Sequence, residues 1–365
     1  MKHICFLTGL YGRRDPLIVE RQGRSLAADG YRVSYIVCDR ESDEQIYGIE
    51  ISSCGFIPAN RADRMRHSSK HLYRKAMEID ADIYQISEPE LIGLGLKLKR
   101  RGKKIVFNLR EDYISNVFEK SYIPKPLRWL VSLFTKLSFK RHLPKYDAVF
   151  SVTDDISEKI IALGVDCQTV RNFPLINPQH ELSAEEYLSR RNYLLYYGTV
   201  YRVSCQTQVF DALSEIDDIT YRIAGPCESD FSQHPYWSRV VWSGAFTKAE
   251  LEELYRNATI SNVLRDFNAI GLPNGSYGIL KMFESMEAGL PILCSDVKIN
   301  REIIQQYGCG ICVDPYNVKA IGQAIRYLCT HREEAYNMGQ RGRKAVKERF
   351  NWEREYVTYK EIIEL

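Results

Sequence analysis

Long apolar runs are missing from this 365-residue sequence. No stretch of roughly 18 or more consecutive apolar residues occurs, so no membrane-spanning helix is expected. The opening Met1-Lys2-His3-Ile4-Cys5-Phe6-Leu7 lacks the length and cleavage site of a secretory signal, and folding is expected from residue 1. There is no internal repeat and no low-complexity tract. Neither G-x-G-x-x-G nor G-K-[ST] is present, which argues against a dehydrogenase or a P-loop enzyme. Charge of one sign is barely in excess, at 50 Lys and Arg against 47 Asp and Glu. With no recognition motif beside it, a nucleic-acid partner is not expected.

What is present fits two cores. Hydrophobic residues make up 45% of the chain, and its length exceeds that of one ordinary domain. The ten cysteines are scattered through strand-like contexts such as Ile36-Val37-Cys38 and Ile292-Leu293-Cys294. Thiols used as small hydrophobes suit a reducing compartment, and the cytoplasm is the expected location. Residues 1–172 hold 29 Lys and Arg against 22 Asp and Glu, a net +7, which leaves −4 for the remainder. The basic half fits an anionic partner such as phosphate or a membrane surface, or is simply a solubilising surface.

Short β-branched runs alternate with amphipathic stretches, the pattern of parallel sheets wrapped by helices. Strands are expected at His3–Thr8, Arg32–Cys38, Ile83–Ile86, Lys104–Asn108 and Ala148–Val152, with helices at Leu17–Asp29 and Ser157–Leu163. The polar stretch 174–191 has no strand periodicity and reads as a hinge linker. The alternation then restarts at Tyr193–Tyr197, Thr220–Ala224, Val240–Trp242, Ile260–Val263, Pro291–Ser295 and Gly310–Val313. The expected organisation is an α/β chain with doubly wound, Rossmann-like parallel-sheet domains at 1–173 and 192–351. A last helix, 352–365, carries Trp352, Tyr356, Tyr359, Ile362 and Ile363 at helical spacing, for packing back onto the first domain.

The most informative stretch runs from Leu272 to Ser295, where a Gly-rich loop opens a helix that ends at Gly289 before a strand. Amides at such a helix start, around Gly278, Ile279 and Leu280, are disposed to hold a phosphate. Lys281 adds a positive charge in the first turn. Glu284 shares a helix face with Leu280 and Lys281, and its carboxylate can accept both hydroxyls of a ribose.

This stretch resembles the signature of the retaining family-4, or group 1, glycosyltransferases, whose fold is GT-B: two Rossmann-like domains facing a central cleft. Gly278, Glu284, Met286, Gly289 and Pro291 match. The position of the family's first glutamate, which contacts the donor sugar, is Ser276. The resemblance continues through Ala81–Leu91, Gly102–Tyr113, Arg171–Pro174, Arg222–Pro226, Gly310–Pro315 and Met338–Arg343. It implies a metal-independent transferase with no cofactor beyond its substrate, a nucleotide diphosphate sugar of unspecified base. The acceptor is a glycan, lipid-linked, and the setting is polysaccharide, O-antigen or capsule assembly. Glu284 grips the ribose, and Lys281 and Arg202 serve as phosphate cations. The loop Thr8–Gly12 approaches the diphosphate from across the cleft, Gly12 allowing close backbone contact.

Where many relatives read His-Glu-Asp-Tyr, this chain reads Arg110-Glu111-Asp112-Tyr113, which makes these acids and Arg110 the catalytic candidates. Arginine cannot be a base at neutral pH; it can stabilise the leaving group's charge or form a structural ion pair. A nucleotide-sugar 2-epimerase using Glu111 or Asp112, and a non-catalytic glycosyltransferase-like subunit, remain alternative readings. The helix within 126–144 lines Leu127, Leu130, Val131, Phe134 and Leu137 on one face beside Arg128, Lys136, Lys140 and Arg141. It can rest on the anionic inner face of the cell membrane or pack on the core.

Other signals are read as bland. His67 and His71 have no third ligand at a metalloprotease spacing, Cys309-Gly-Ile-Cys312 runs into a strand, and Asp80-Ala-Asp82 precedes one. No metal site is expected.

Overall fold

The first strand forms as β1 (His3–Leu7), and every residue in it is buried, as a central parallel strand covered on both faces requires. In the computed structural model, which describes residues 1–118, 122–228 and 230–365, the chain divides into two units. They are Met1–Asn172 with Trp352–Leu365, and Phe173–Asn351.

The sheet of the first unit comprises β1, β2 (Arg32–Val37), β3 (Glu44–Ile46), β4 (Ile49–Ser53), β5 (Ile83–Ile86), β6 (Lys104–Leu109), β7 (Ala148–Ser151) and β8 (Gln168–Thr169). Their order is β3-β4-β2-β1-β5-β6-β7-β8. Only β3 and β4 pair antiparallel; Phe6 of β1 lies level with Tyr35 of β2 and Gln85 of β5. The helix Trp352–Glu364 belongs to this unit. Trp352 donates its indole N–H to Ser25 Oγ at 2.9 Å, and Tyr359 donates its hydroxyl to Gln85 Oε1 at 2.7 Å. Its ring meets that of Phe150 edge-on at 5.6 Å.

The second unit holds β9 (Tyr193–Tyr197), β10 (Thr220–Ala224), β11 (Val240–Ser243), β12 (Ile260–Val263), β13 (Ile292–Ser295) and β14 (Gly310–Val313). These are all parallel, in the order β11-β10-β9-β12-β13-β14. The strand order reverses between β1 and β5 in one sheet and between β9 and β12 in the other. At such switch points the carboxyl ends of the strands leave room for ligands.

Three local expectations need correction. Residues 174–191 are not a free linker but part of the second unit. Tyr187 is fully buried and donates to Thr259 O at 2.7 Å, while Ser183 caps the helix Ala184–Ser189 through Glu186 N–H at 3.1 Å. The helix expected at Leu17–Asp29 begins as a π-helical turn, Pro16–Gln22, capped by Asp15, and becomes α-helical over Gly23–Ala28. Strands β3 and β4 were not anticipated, because their polar alternation falls within a run of acids and glycines.

His67 pairs with Asp63 at 2.6 Å, His71 stacks on Phe56 with ring centroids 4.6 Å apart, and Asp82 accepts from His3 N–H at 2.8 Å. None of the ten cysteines forms a disulfide.

Candidate functional site

In the second unit the chain turns sharply after β9 at Gly198, whose φ is +93°. Its N–H donates to Ala224 O at 2.8 Å. At Gly225, φ +135°, a Cβ would lie 2.4 Å from Gly198 O. Glycine at both positions therefore lets the loops after β9 and β10 touch. The helix Leu280–Glu287 brings its first turn to the same place. Lys281 Nζ stands 3.4 Å from the centroid of the Tyr196 ring, a cation–π seat. Tyr197 donates its hydroxyl to Lys281 O at 3.0 Å and to Glu284 Oε2 at 3.2 Å.

The site is rich in positive charge. Burial holds the Lys281 ammonium well below its usual pKa, and the nearby Arg265 guanidinium lowers it further, with Glu284 acting the other way. Arg265 follows the end of β12. Its N–H donates to Ser295 Oγ at 2.8 Å and its carbonyl accepts from the same hydroxyl at 2.7 Å. Its buried Nε has no hydrogen-bond partner among the described residues. Two cations crowded together, one with an orphaned N–H, are arranged to gain from an anion. The only sequence signal for Arg265 was its place just past the carboxyl end of a switch-point strand.

The helix-start amides do not form the expected cradle. Gly278 N–H donates to Ser276 Oγ at 3.1 Å, Ile279 N–H to Ser276 O at 3.5 Å and Leu280 N–H to Gly278 O at 3.0 Å. Each has an acceptor within the loop, and Ser276, itself buried, caps backbone. The positive charge is thus carried by side chains. Glu284 is half-buried rather than sealed in the core. Arg202 is exposed on the turn Arg202–Ser204.

In the first unit, Arg110 Nη1 and Nη2 donate to Asp15 Oδ1 and Oδ2 at 3.0 and 2.9 Å. The guanidinium lies 3.7 Å from the centroid of the Tyr11 ring. Asp112 accepts from Lys159 at 2.5 Å and from Ser115 N–H at 2.9 Å. Burial pushes its carboxyl up, yet these partners outweigh that and hold it low. Two of the three catalytic candidates, Arg110 and Asp112, thus have their charges matched within the unit. Gly12 is exposed and its carbonyl accepts from Tyr35 at 3.0 Å; nothing lies within 4 Å of a Cβ built there.

Glu111 lines a pocket of about 510 Å³ together with Glu88, a residue the sequence did not single out. Glu88 is 1% exposed and accepts a hydrogen bond from Thr8 Oγ1. Burial pushes its carboxyl up to about 7, against the pull of the Thr8 bond. The helix Arg128–His142 borders the pocket and buries Phe139 alone. Trp129, Leu130, Leu133, Phe134 and Leu137 are exposed, which overturns the alternative of a core-facing helix.

Residues 180–345 match the family model Glycosyl transferases group 1, and residues 18–174 match the model Glycosyltransferase Family 4. The chain belongs to the group 1 glycosyltransferases. No curated protein matches this glycosyltransferase, but solved structures do along its whole length. Sucrose-phosphate synthase from Thermosynechococcus elongatus is similar with a TM-score of 0.69 at 15% identity, covering 100% of this chain and 98% of that one. HepE of Anabaena in complex with UDP-glucose gives 0.67 at 12%, covering 100% of both chains. A UDP-forming α,α-trehalose-phosphate synthase from Burkholderia xenovorans gives 0.66 at 11%, covering 100% and 99%. At these identities the likeness concerns fold, and the fold is GT-B. Lys281, Glu284 and Arg265 all lie within the region matched by the group 1 model. No helix among the described residues of the glycosyltransferase is long and apolar enough to cross a membrane.

Proposed function

We propose that this glycosyltransferase takes a sugar from a nucleoside diphosphate donor bound in its second unit and passes it, with retention and without a metal ion, to a lipid-linked glycan bound by its first unit. The observation that carries this reading is the grouping around Lys281 of Arg265, from the loop after β12, and Glu284, one helical turn further along the same helix. The two cations match a pyrophosphate, and the carboxylate, oriented by Tyr197, matches the ribose diol. HepE, of similar fold, has been seen with UDP-glucose, which supports a donor of this chemistry.

As the bond from the anomeric carbon to the phosphate oxygen breaks, negative charge grows on the pyrophosphate and is met by preset cations. The acceptor oxygen bonds to the anomeric carbon, and its proton passes to the departing phosphate oxygen. Such a path asks little of an enzymic base, which accords with Arg110 and Asp112 being paired internally. Polysaccharide, O-antigen or capsule assembly is the setting.

The test is a thermal-shift panel of UDP, GDP, ADP, CDP and dTDP with their common sugars. One diphosphate family raises the melting temperature, and Glu284→Ala loses most of the gain. No response to any of them favours the non-catalytic subunit reading, which draws on Arg110 and Ser276 standing where relatives carry other residues, the one paired with Asp15 and the other capping Gly278 N–H. Product analysis without acceptor separates an epimerase.

The exposed apolar face of Arg128–His142, with Lys136, Lys140 and Arg141 also exposed, supports peripheral binding to anionic lipid. Flotation with phosphatidylglycerol vesicles tests it; protein left entirely at the bottom of the gradient removes the idea.

A further inference from the structure

At the carboxyl ends of β2 and β4 two thiols face each other. The ladder between these parallel strands ends at the pair Val37 and Ser53, and Cys54 N–H still donates to Val37 O at 2.9 Å, so Cys38 and Cys54 follow as opposite neighbours. Their sulfurs stand 3.4 Å apart. Neighbouring strands run about 4.8 Å apart, inside the Cα spacing that a disulfide spans. Closing to a bond of about 2.05 Å asks only for side-chain rotation and a small shift of the chain. Both cysteines lie past the last ladder pair, and Gly55 beyond them turns with φ +74°, so the backbone there can give.

Cys38 is partly exposed, while Cys54 behind it is buried, at 3%. A thiol open to solvent with a second thiol at its back is the arrangement of redox-sensing pairs. Cys294 and Cys312, 3.5 Å apart, are placed differently. They lie within a ladder, with Leu293 and Ile311 paired on one side and Ser295 and Val313 on the other, and Cys294 is fully buried. Backbone fixed on both sides holds those sulfurs apart.

We infer that Cys38 and Cys54 form a peroxide-sensing dithiol whose disulfide ties off the segment 39–53. The Cys38 thiolate attacks one oxygen of hydrogen peroxide and the O–O bond breaks. Cys38 becomes a sulfenic acid, and the departing hydroxide takes up the thiol's proton as water. Cys54 then attacks the Cys38 sulfur, the S–O bond breaks, and the hydroxyl leaves with the Cys54 proton as a second water. Two electrons pass from the sulfurs to the peroxide. A transient disulfide of this kind suits a reducing compartment. The segment it ties holds Arg13: Asp39 accepts from Arg13 Nε at 2.6 Å and Ser42 O from Nη1 at 2.9 Å. Ser53 donates its hydroxyl to Asp39 O at 2.5 Å, and the disulfide adds a covalent bond beside it.

Stoichiometric hydrogen peroxide on the reduced full chain, followed by alkylation and peptide mapping, tests this. The Cys38 and Cys54 peptides become linked before any other pair and separate again with dithiothreitol. In Cys54→Ser, Cys38 stops at a sulfenic acid that dimedone traps; in Cys38→Ser, dimedone labels Cys54 at least about tenfold more slowly, because that thiol is buried. Hydrogen exchange across 39–53 slows in the oxidised wild type and recovers on reduction. The proposal is overturned if Cys38 and Cys54 stay unlinked, if Cys294 and Cys312 link first, if the two variants label equally, or if oxidation leaves exchange across 39–53 unchanged. The wild-type map decides whether or not either variant folds. Neither result bears on the donor reading, since these residues lie outside the second unit.

Discussion

Tyr197 donates its hydroxyl to Glu284 Oε2 at 3.2 Å, so a residue at the end of β9 fixes the aim of a carboxylate on the helix Leu280–Glu287. Tyr197→Phe removes that restraint while leaving the carboxylate in place. We expect nucleoside diphosphate affinity to fall about five- to tenfold, as for loss of one hydrogen bond to a charged group. Glu284→Ala should cost far more, and titration calorimetry of both variants ranks them.

Burial and Arg265 both oppose protonation of Lys281 in the empty site, so a lysine there costs stability. Lys281→Met should therefore raise the melting temperature of the free protein, by about 2–4 °C for each kcal/mol recovered, while abolishing the gain given by the nucleotide. A variant less stable than wild type without ligand would show that the lysine is structural.

Asp15 is tied to Arg110 by two hydrogen bonds and also accepts from Ile18 N–H at 3.0 Å. Arg110→Ala leaves this carboxylate buried without its counter-charge, a loss on the order of 3 kcal/mol in urea unfolding. In an Asp15→Asn background the same change should cost less by 1 kcal/mol or more, a coupling that a double-mutant cycle measures.

His180 sits between Glu252 and Glu287 in the second unit, hydrogen-bonded to both; Arg343 Nη1 donates to Glu287 Oε1 at 2.8 Å. Burial opposes protonation of the ring, but the two carboxylates outweigh it and raise its pKa to about 9. A free imidazole titrates near 6.5. The cluster's stabilisation is therefore complete below about 6.5, declines between there and about 9, and is lost above, a change of roughly 2–3 kcal/mol. Urea midpoints taken across that window should slope downward in the wild type and be flatter in His180→Gln.

Much of the architecture was legible from periodicity. β5, β9, β10, β12 and β14 have the bounds that the β-branched runs indicated, because buried parallel strands write themselves as continuous apolar segments. Glu284 beside Lys281 followed from helical spacing once the helix start was read. Composition misled at 174–191, where polar residues surround Tyr187 and His180, whose side chains anchor the segment. Free amides were expected at Gly278–Leu280 because sequence does not reveal that Ser276 folds back to cap them. Arg265 and Glu88 carried no motif. Which carboxylate of Glu88-Pro89-Glu90 turns inward depends on Thr8, brought alongside by the pairing of β1 with β5, and no local pattern records that.

The closing helix of the first unit, Trp352–Glu364, is separated from the rest of it along the chain by the whole of the second unit. On the ribosome, where domains usually fold as they emerge, the leading sheet must wait. Gln85 and the Phe150 ring have no Tyr359 to meet until every residue of the trailing sheet has been made. The nascent protein thus carries an uncapped apolar surface through half of its synthesis, a window in which chaperone binding competes with aggregation.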